Sequence, residues 1–219
     1  MQLSEIKTRL SKLDTANLAD ANKELRVLSP EIRPLRPGLK LIGVAHTVRC
    51  ENDFLTVIKA LRDAEPGEVL VIDTQHSRPA VAGELFSTEA LRKGLSGLVI
   101  DGACRDTAKI KTLDFPVYSR SVIPLAGTTT RIFETQIPVQ CGGVTVQPGE
   151  IVFGDDDGLI VASVAELSEL IPIAEDIQSK EDEILRRMKT GADLLEMLNF
   201  DEHWDKVKSG NNSKLSFKL

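Results

Sequence analysis

Apolar positions first recur at helical spacing. Leu3, Ile6, Leu10 and Leu13 mark an amphipathic helix over residues about 4–12. A second short helix begins at Asp14, a good N-cap, and runs through Leu18 and Ala21. Ser29–Gly38 carries three prolines, which keeps it extended. From Leu39 the text LKLIGVAHTVRC is β-rich, and FLTVIKALRDA (Phe54–Ala64) returns to helical period. Pro66-Gly67 turns the chain into the apolar run Val69–Ile72, which ends at Asp73 and reads as a strand buried on both faces. Residues 79–94 predict a helix stopped by Gly94, and Gly97–Ala103 a second buried strand. Strand, helix, strand at this spacing is a βαβ unit with a right-handed crossover.

A short helix is predicted from Arg105 to about Leu113, and a strand from Pro116. Residues 131–163 alternate short apolar runs with Gly and Pro turns, an antiparallel β pattern. Residues about 164–188 and 191–199 return to helix, broken at Gly191, and the tail from Ser209 is polar enough to fray. The expectation is an α/β domain over 1–178 that includes the N-terminal helices, a helical extension over 179–208 and a flexible tail over 209–219. A chain of 219 residues buries about 70% of its unfolded surface, enough for a core without metal or disulfide staples.

Composition narrows the function classes. With 42% hydrophobic and 27% charged residues, collagen, long disorder and a disulfide scaffold are excluded. Acidic residues outnumber basic ones 33 to 27, for a net charge of −6, which argues against a nucleic-acid binder needing a basic face. The amphipathic start and the lack of any run of 18 apolar residues predict a soluble, cytoplasmic protein with no membrane partner. Cys50, Cys104 and Cys141 are odd in number and widely spaced, so they read as small buried hydrophobes rather than as a disulfide or zinc framework.

Ligands of open α/β sheets bind beyond the carboxyl ends of the strands, and two such junctions carry chemistry. In Val81–Phe86, Gly83 at a helix start would leave the amides of Glu84, Leu85 and Phe86 unpaired, a cradle for a carboxylate or phosphate. In Asp101–Asp106, Arg105 can fork a carboxylate and Asp106 can offer a hard oxygen to Mg2+ or Mn2+, which keep much of their water. Each junction also has a plain reading: Gly83 as a packing glycine, and Arg105–Asp106 as a surface pair answering a helix dipole. Glu84 and Arg105 nevertheless end successive strand-to-helix loops of one βαβ unit. If the strands pair, at about 4.8 Å spacing, both loops share one rim.

Other polar residues read more simply. His46 is a strand histidine, and His76 lies near the rim as a weaker candidate for substrate contact. Asp155–Asp157 reads as a solvated turn, and Lys109 lacks the apolar surroundings of a Schiff-base lysine. No GxGxxG loop is present for a nucleotide.

The stretches PGEVLVID, AGEL, GLSGLVIDGACRD, DFPVYSR and PVQCGGVTVQPGEIVFGDDDGLIV resemble the RraA-like proteins over roughly Asp14–Ile177. That family includes divalent-metal aldolases acting on 4-hydroxy-4-methyl-2-oxoglutarate and 4-carboxy-4-hydroxy-2-oxoadipate. The resemblance implies a swivelling β/β/α domain assembled as a homotrimer or hexamer with sites between subunits. It also implies retro-aldol release of pyruvate, with oxaloacetate decarboxylation as a second activity. By motif, Arg105 would contact the pyruvate moiety, Asp106 would hold Mg2+ or Mn2+, the Gly83–Phe86 amides would bind the carboxylate, and Glu84 would stand as an acid beside metal-bound water. Members that act instead as protein-binding regulators of ribonuclease activity keep the arginine but lack the aspartate, so Asp106 favours the enzyme branch. Lys109 departs from the acidic residue expected three positions after the aspartate, which leaves the exact substrate open.

Overall fold

The computed structural model describes residues 1–218. The amphipathic start forms α1 (Leu3–Leu10), and Asp14 precedes α2 (Thr15–Ala21), its amide donating to Asn17 Oδ1 at 3.1 Å. β1 (Arg26–Val27) precedes the proline-rich segment, which itself supplies β2 (Arg33–Pro34). Then come β3 (Leu41–Arg49), α3 (Leu55–Asp63), β4 (Glu68–Asp73), β5 (Ala80–Ala82), α4 (Glu84–Arg92), β6 (Gly97–Cys104), α5 (Thr107–Ile110) and β7 (Val117–Val122). The Gly/Pro-punctuated stretch gives β8 (Val139–Cys141), β9 (Val144–Val146), β10 (Ile151–Gly154) and β11 (Leu159–Ala162), and the chain closes with α6 (Val164–Lys189) and α7 (Phe200–Lys208).

Two predictions need correction. The helix expected over 79–94 begins only at Glu84, because Ala80–Ala82 extends to pair with Ala103 and Cys104 at the end of β6. Residues 191–199 form turns rather than helix: Gly191 has φ +99°, and Asp193 Oδ1 accepts from the Leu195 amide at 2.7 Å. The last helix starts instead at Phe200. Beyond α7, Ser216 N–H donates to Asn199 Oδ1 at 2.8 Å and Lys218 N–H to Met197 O at 2.7 Å.

Nine strands make one sheet in the order β1-β11-β10-β3-β4-β6-β7-β2, with β5 added at the end of β6, while β8 and β9 form a separate hairpin. β3, β4, β6 and β7 run parallel to one another, and β10 joins β3 antiparallel. Alternation along β4 explains its unbroken apolar run. Val69 and Val71 face the hairpin with Val99 and Tyr118, and Leu70 and Ile72 face α3 and α4 with Leu98 and Ile100. Each such side chain contributes about 1.5–3 kcal/mol by leaving water. The other half of the helical face packs Ile6, Leu10, Leu167 and Ile171 on Ile151, Phe153 and Ile160. α6 is started by a capping box, with Glu166 N–H donating to Ser163 Oγ and Ser163 N–H to Glu166 Oε2. These layers are β hairpin, β sheet and α helices, the β/β/α arrangement expected.

Two buried acids fasten the periphery to this frame. Asp101, within β6, accepts from Arg120 Nε and from the Gly142 amide, tying the hairpin to the sheet. Asp53, fully buried, accepts from Leu55 N–H, Thr128 Oγ1–H, Thr130 N–H and Arg131 N–H. Asp53 thereby pins the segment after β7 across the carboxyl ends of the strands, where Ala126 pairs with Ala80 and Thr135 with Val48.

Candidate active site

β4 and β6 are directly paired, with Asp73 opposite Asp101, and β5 then lies against the last residues of β6. Arg105 N–H donates to Ala82 O at 3.1 Å, which sets the first residue after β6 beside the residue before Gly83. The two junctions therefore meet. Glu84 N–H donates to Asp106 Oδ2 at 3.2 Å, and Arg105 Nε stands 3.5 Å from the same oxygen.

Gly83 is what permits this approach. A Cβ there would run into Asp106 Oδ2 and lie 3.0 Å from Arg105 Cγ, although its extended backbone would suit any residue. Asp106 completes the arrangement from its own side: at φ +59° it is left-handed, a conformation more open to Asp than to most residues, and its carboxylate crosses to the start of α4. Left-handed non-glycine residues recur on this rim, at Asn52, Gln75 and His76 as well as Asp106. Such backbones tend to gather at working sites.

Together these residues border a cavity of about 180 Å³ lined by Gly83, Leu85, Phe86, Arg105 and Asp106, together with Phe54 and Ala126. Phe54 meets Phe86 edge to face at 5.8 Å and 69°. The side chains of Arg105 and Asp106 remain 43% and 40% exposed, so both face solvent and can receive a ligand. Of the three amides expected free, that of Glu84 is engaged by Asp106. Those of Leu85 and Phe86 lie in the first turn of α4, where no intrahelical acceptor exists, and remain available to an anion.

The structure separates the candidates. Gly83, Leu85, Phe86, Arg105 and Asp106 come together on the cavity, whereas Glu84 presents its amide at the rim and its side chain is absent from the lining. His76 and Lys109 are exposed and also lie off the wall. His46 is buried with Nδ1 2.9 Å from Glu68 Oε2. Asp155, expected to be solvated, is buried and accepts from the amide and hydroxyl of Thr15, both at 2.7 Å. Burial pushes the thiols of Cys50 and Cys104 up to about 12 and that of Cys141 well above the usual range, so none serves as a thiolate nucleophile. Phe54, Ala126 and the organising Asp53 were not singled out by sequence. They reach the rim through contacts more than 70 residues apart in the chain, and only the NDF triplet before α3 hinted at a cap.

A divalent ion is implied by the resemblance. Among the described residues no cluster of three or more His, Cys, Asp or Glu forms a protein cage. Asp106 is a half-exposed hard oxygen donor on a solvent-open wall. It suits an ion held by one carboxylate and several waters, the habit of Mg2+, and fits poorly a metal requiring full protein ligation. No helix among the described residues is long and apolar enough to cross a membrane.

The RraA-like family model, described as Aldolase/RraA, matches residues 15–161. A Halalkalibacterium halodurans protein provisionally named 4-hydroxy-4-methyl-2-oxoglutarate aldolase is 36% identical over 70% of this chain and 74% of its own. An uncharacterised protein of Methanocaldococcus jannaschii is 37% identical over 88% of this chain and 93% of its own. The crystal structure of Streptomyces coelicolor RraAS2, described as an unusual member of the RNase ES inhibitor RraA family, superposes with a TM-score of 0.73 at 27% identity over 84% of this chain and 96% of that one. With the fold, the rim and these matches in agreement, the chain belongs to the RraA-like family.

Proposed function

We propose that this protein is a divalent-metal aldolase that releases pyruvate from 4-hydroxy-2-oxo acids, the chemistry named for its 4-hydroxy-4-methyl-2-oxoglutarate relative, and that it also decarboxylates oxaloacetate. The observation carrying this reading is the meeting of Arg105, Asp106 and the first turn of α4 at one cavity. Asp106 would hold Mg2+ or Mn2+, which as a Lewis acid would polarise the substrate's 2-oxo group. The C1 carboxylate lies against the Leu85 and Phe86 amides, favoured by the positive end of the helix. Arg105 forks the oxygens of the 2-oxo acid and stabilises the negative charge that gathers there as the C3–C4 bond breaks. Asp106 is the sole carboxylate among the described residues of the wall, so the C4 hydroxyl proton leaves to water at that side chain. Phe54 and Phe86 offer apolar surface beside these groups, and water displaced from it when substrate binds strengthens the charge interactions.

Oxaloacetate needs only the enolate-stabilising half of this machinery, because CO2 leaves and no hydroxyl proton is removed. Assembly as a trimer or hexamer belongs to the same proposal. Leu85 on the cavity wall and Ile132 in the segment after β7, 77% and 82% exposed, are apolar surface suited to a neighbouring copy. The competing reading, a regulator of ribonuclease activity that works by binding protein, is favoured by the likeness to RraAS2. A coupled pyruvate assay with oxaloacetate and 4-hydroxy-4-methyl-2-oxoglutarate, with and without Mg2+, separates them. The aldolase reading expects Mg2+-dependent pyruvate that a chelator abolishes. No pyruvate from either compound, together with capture of a ribonuclease, overturns it.

A further inference from the structure

α7 lies well beyond residue 161, where the family match ends, and none of its residues is buried. At 3.6 residues per turn Phe200, Trp204 and Val207 fall within about 60° of one another, a single stripe along the helix. They are 40%, 58% and 54% exposed, and the rings of Phe200 and Trp204 stand 5.9 Å apart. The returning tail bonds to Asn199 and Met197, ahead of the helix, and leaves the stripe open.

Charges sort around this stripe. On the far side Glu202 and Lys206 satisfy each other, with Lys206 Nζ donating to Glu202 Oε1 at 2.6 Å. Asp201 and Lys208 share one flank, one at each end of the helix, and among the described residues neither has an ion-pair partner. Turned end for end about a two-fold axis, a second α7 sets its Lys208 against Asp201 and its Asp201 against Lys208. Trp204 then meets Trp204 at the centre, and Phe200 lies over Val207. The helix is thus complementary to itself, the requirement of an isologous contact. An aromatic seam with opposite charges at its margin is the usual make-up of such pairings.

We propose that α7 is a dimerisation helix, pairing antiparallel with α7 of a second copy of this chain through Phe200, Trp204 and Val207. The proposal is independent of catalysis and adds a surface other than Leu85 and Ile132 to the assembly. A helix of nine residues is about 14 Å long, so the seam falls short of the roughly 1,200 Å² of a stable interface. Its role is to link bodies that other surfaces have already assembled: on a cyclic ring it joins ring to ring, and the first seam raises the effective concentration for the next. Two rings of three joined in this way make a hexamer.

Sedimentation of the full chain at micromolar concentration tests this, together with acrylamide quenching of Trp204, the one tryptophan of the sequence. The parent should contain an even number of chains and Trp204→Glu, a change at an exposed position that leaves the fold intact, half that number. Asp201→Lys and Lys208→Asp each set like charges together at both ends of the seam. Either should raise the dissociation constant about tenfold and make Trp204 easier to quench. The double variant Asp201→Lys/Lys208→Asp swaps the pair and restores both readings. An unchanged mass in Trp204→Glu, single reversals without effect, or a double variant no better than the single ones overturns the pairing. So does a blue shift of Trp204 emission on adding anionic lipid vesicles while the substitutions leave the mass unchanged, which assigns the stripe to a membrane surface.

Discussion

Gly83→Ala isolates the contact on which the site depends. The backbone at Gly83, φ −166° and ψ −157°, is open to alanine, so no conformational strain is added. The new methyl would instead run into Asp106 Oδ2 and lie 3.0 Å from Arg105 Cγ. Both obstacles belong to side chains that are partly exposed and able to swing away. The stability cost is thus limited to the Glu84 N–H to Asp106 bond and the carboxylate's interaction with the start of α4, about 0.5–1.5 kcal/mol. For a domain of this size that is a fall in Tm of roughly 1–6 °C. Activity responds differently, because a displacement of about 1 Å in a positioned group costs on the order of 100-fold. Thermal unfolding and coupled pyruvate release, measured on the same preparation, should therefore diverge. Pyruvate release within threefold of the parent protein, or a Tm loss above about 10 °C, contradicts the reasoning: the first says that the approach of Gly83 to Asp106 is irrelevant to turnover, the second that Gly83 serves packing.

Arg105→Ala should lower kcat/KM for pyruvate release by well over tenfold, above ~1.4 kcal/mol of transition-state stabilisation, with a near-normal Tm; a smaller loss removes Arg105 from the chemistry. Asp53→Asn leaves buried donors poorly matched and should cost about 1–3 kcal/mol by denaturant unfolding. Burial alone would raise the Asp53 pKa, but the Thr128 hydroxyl and the amides of Leu55, Thr130 and Arg131 outweigh it and hold it below the ordinary carboxylate range. Its contribution is therefore complete above the unfolded value of about 3.9 and disappears as pH falls through the lower folded value, so the variant should show a shallower acid limb; identical limbs refute the assignment. Cys50, Cys104 and Cys141 are all buried and free, and iodoacetamide at pH 8 should label none of them in the folded protein and all three after unfolding; rapid native labelling contradicts the packing.

Much of the frame was legible because its physics is local. β4 and β6 are buried on both faces, so each carries a continuous apolar run, Val69–Ile72 and Leu98–Ile100, and their pairing follows from the βαβ rule. α2 is marked in the sequence by a polar cap, and α6 carries a Ser–Glu capping box. Helix 79–94 was overextended because Val81, Leu85 and Phe86 share a helical face with later residues, while the strand pairing of Ala80–Ala82 depends on β6, a partner some 20 residues away. The site was legible in part. Arg105, Asp106 and Gly83 occupy strand-to-helix junctions that topology forces together, but the engagement of the Glu84 amide by Asp106 depends on a left-handed backbone that no spacing reveals. The far wall escaped for the same reason. Phe54 and Ala126 meet only because Asp53 gathers a loop more than 70 residues distant, and a hydrogen-bond hub of that span has no periodic trace.

The central claim is that Asp106 holds a divalent ion where Arg105 meets a 2-oxo acid. The most direct measurement is a Mn2+ titration followed by water proton relaxation, with and without pyruvate, on the parent protein and on Asp106→Asn. The account predicts one Mn2+ per chain in the parent, bound more tightly in the presence of pyruvate, and loss of that site in the variant. Equal Mn2+ binding by the variant, or none by the parent, contradicts it.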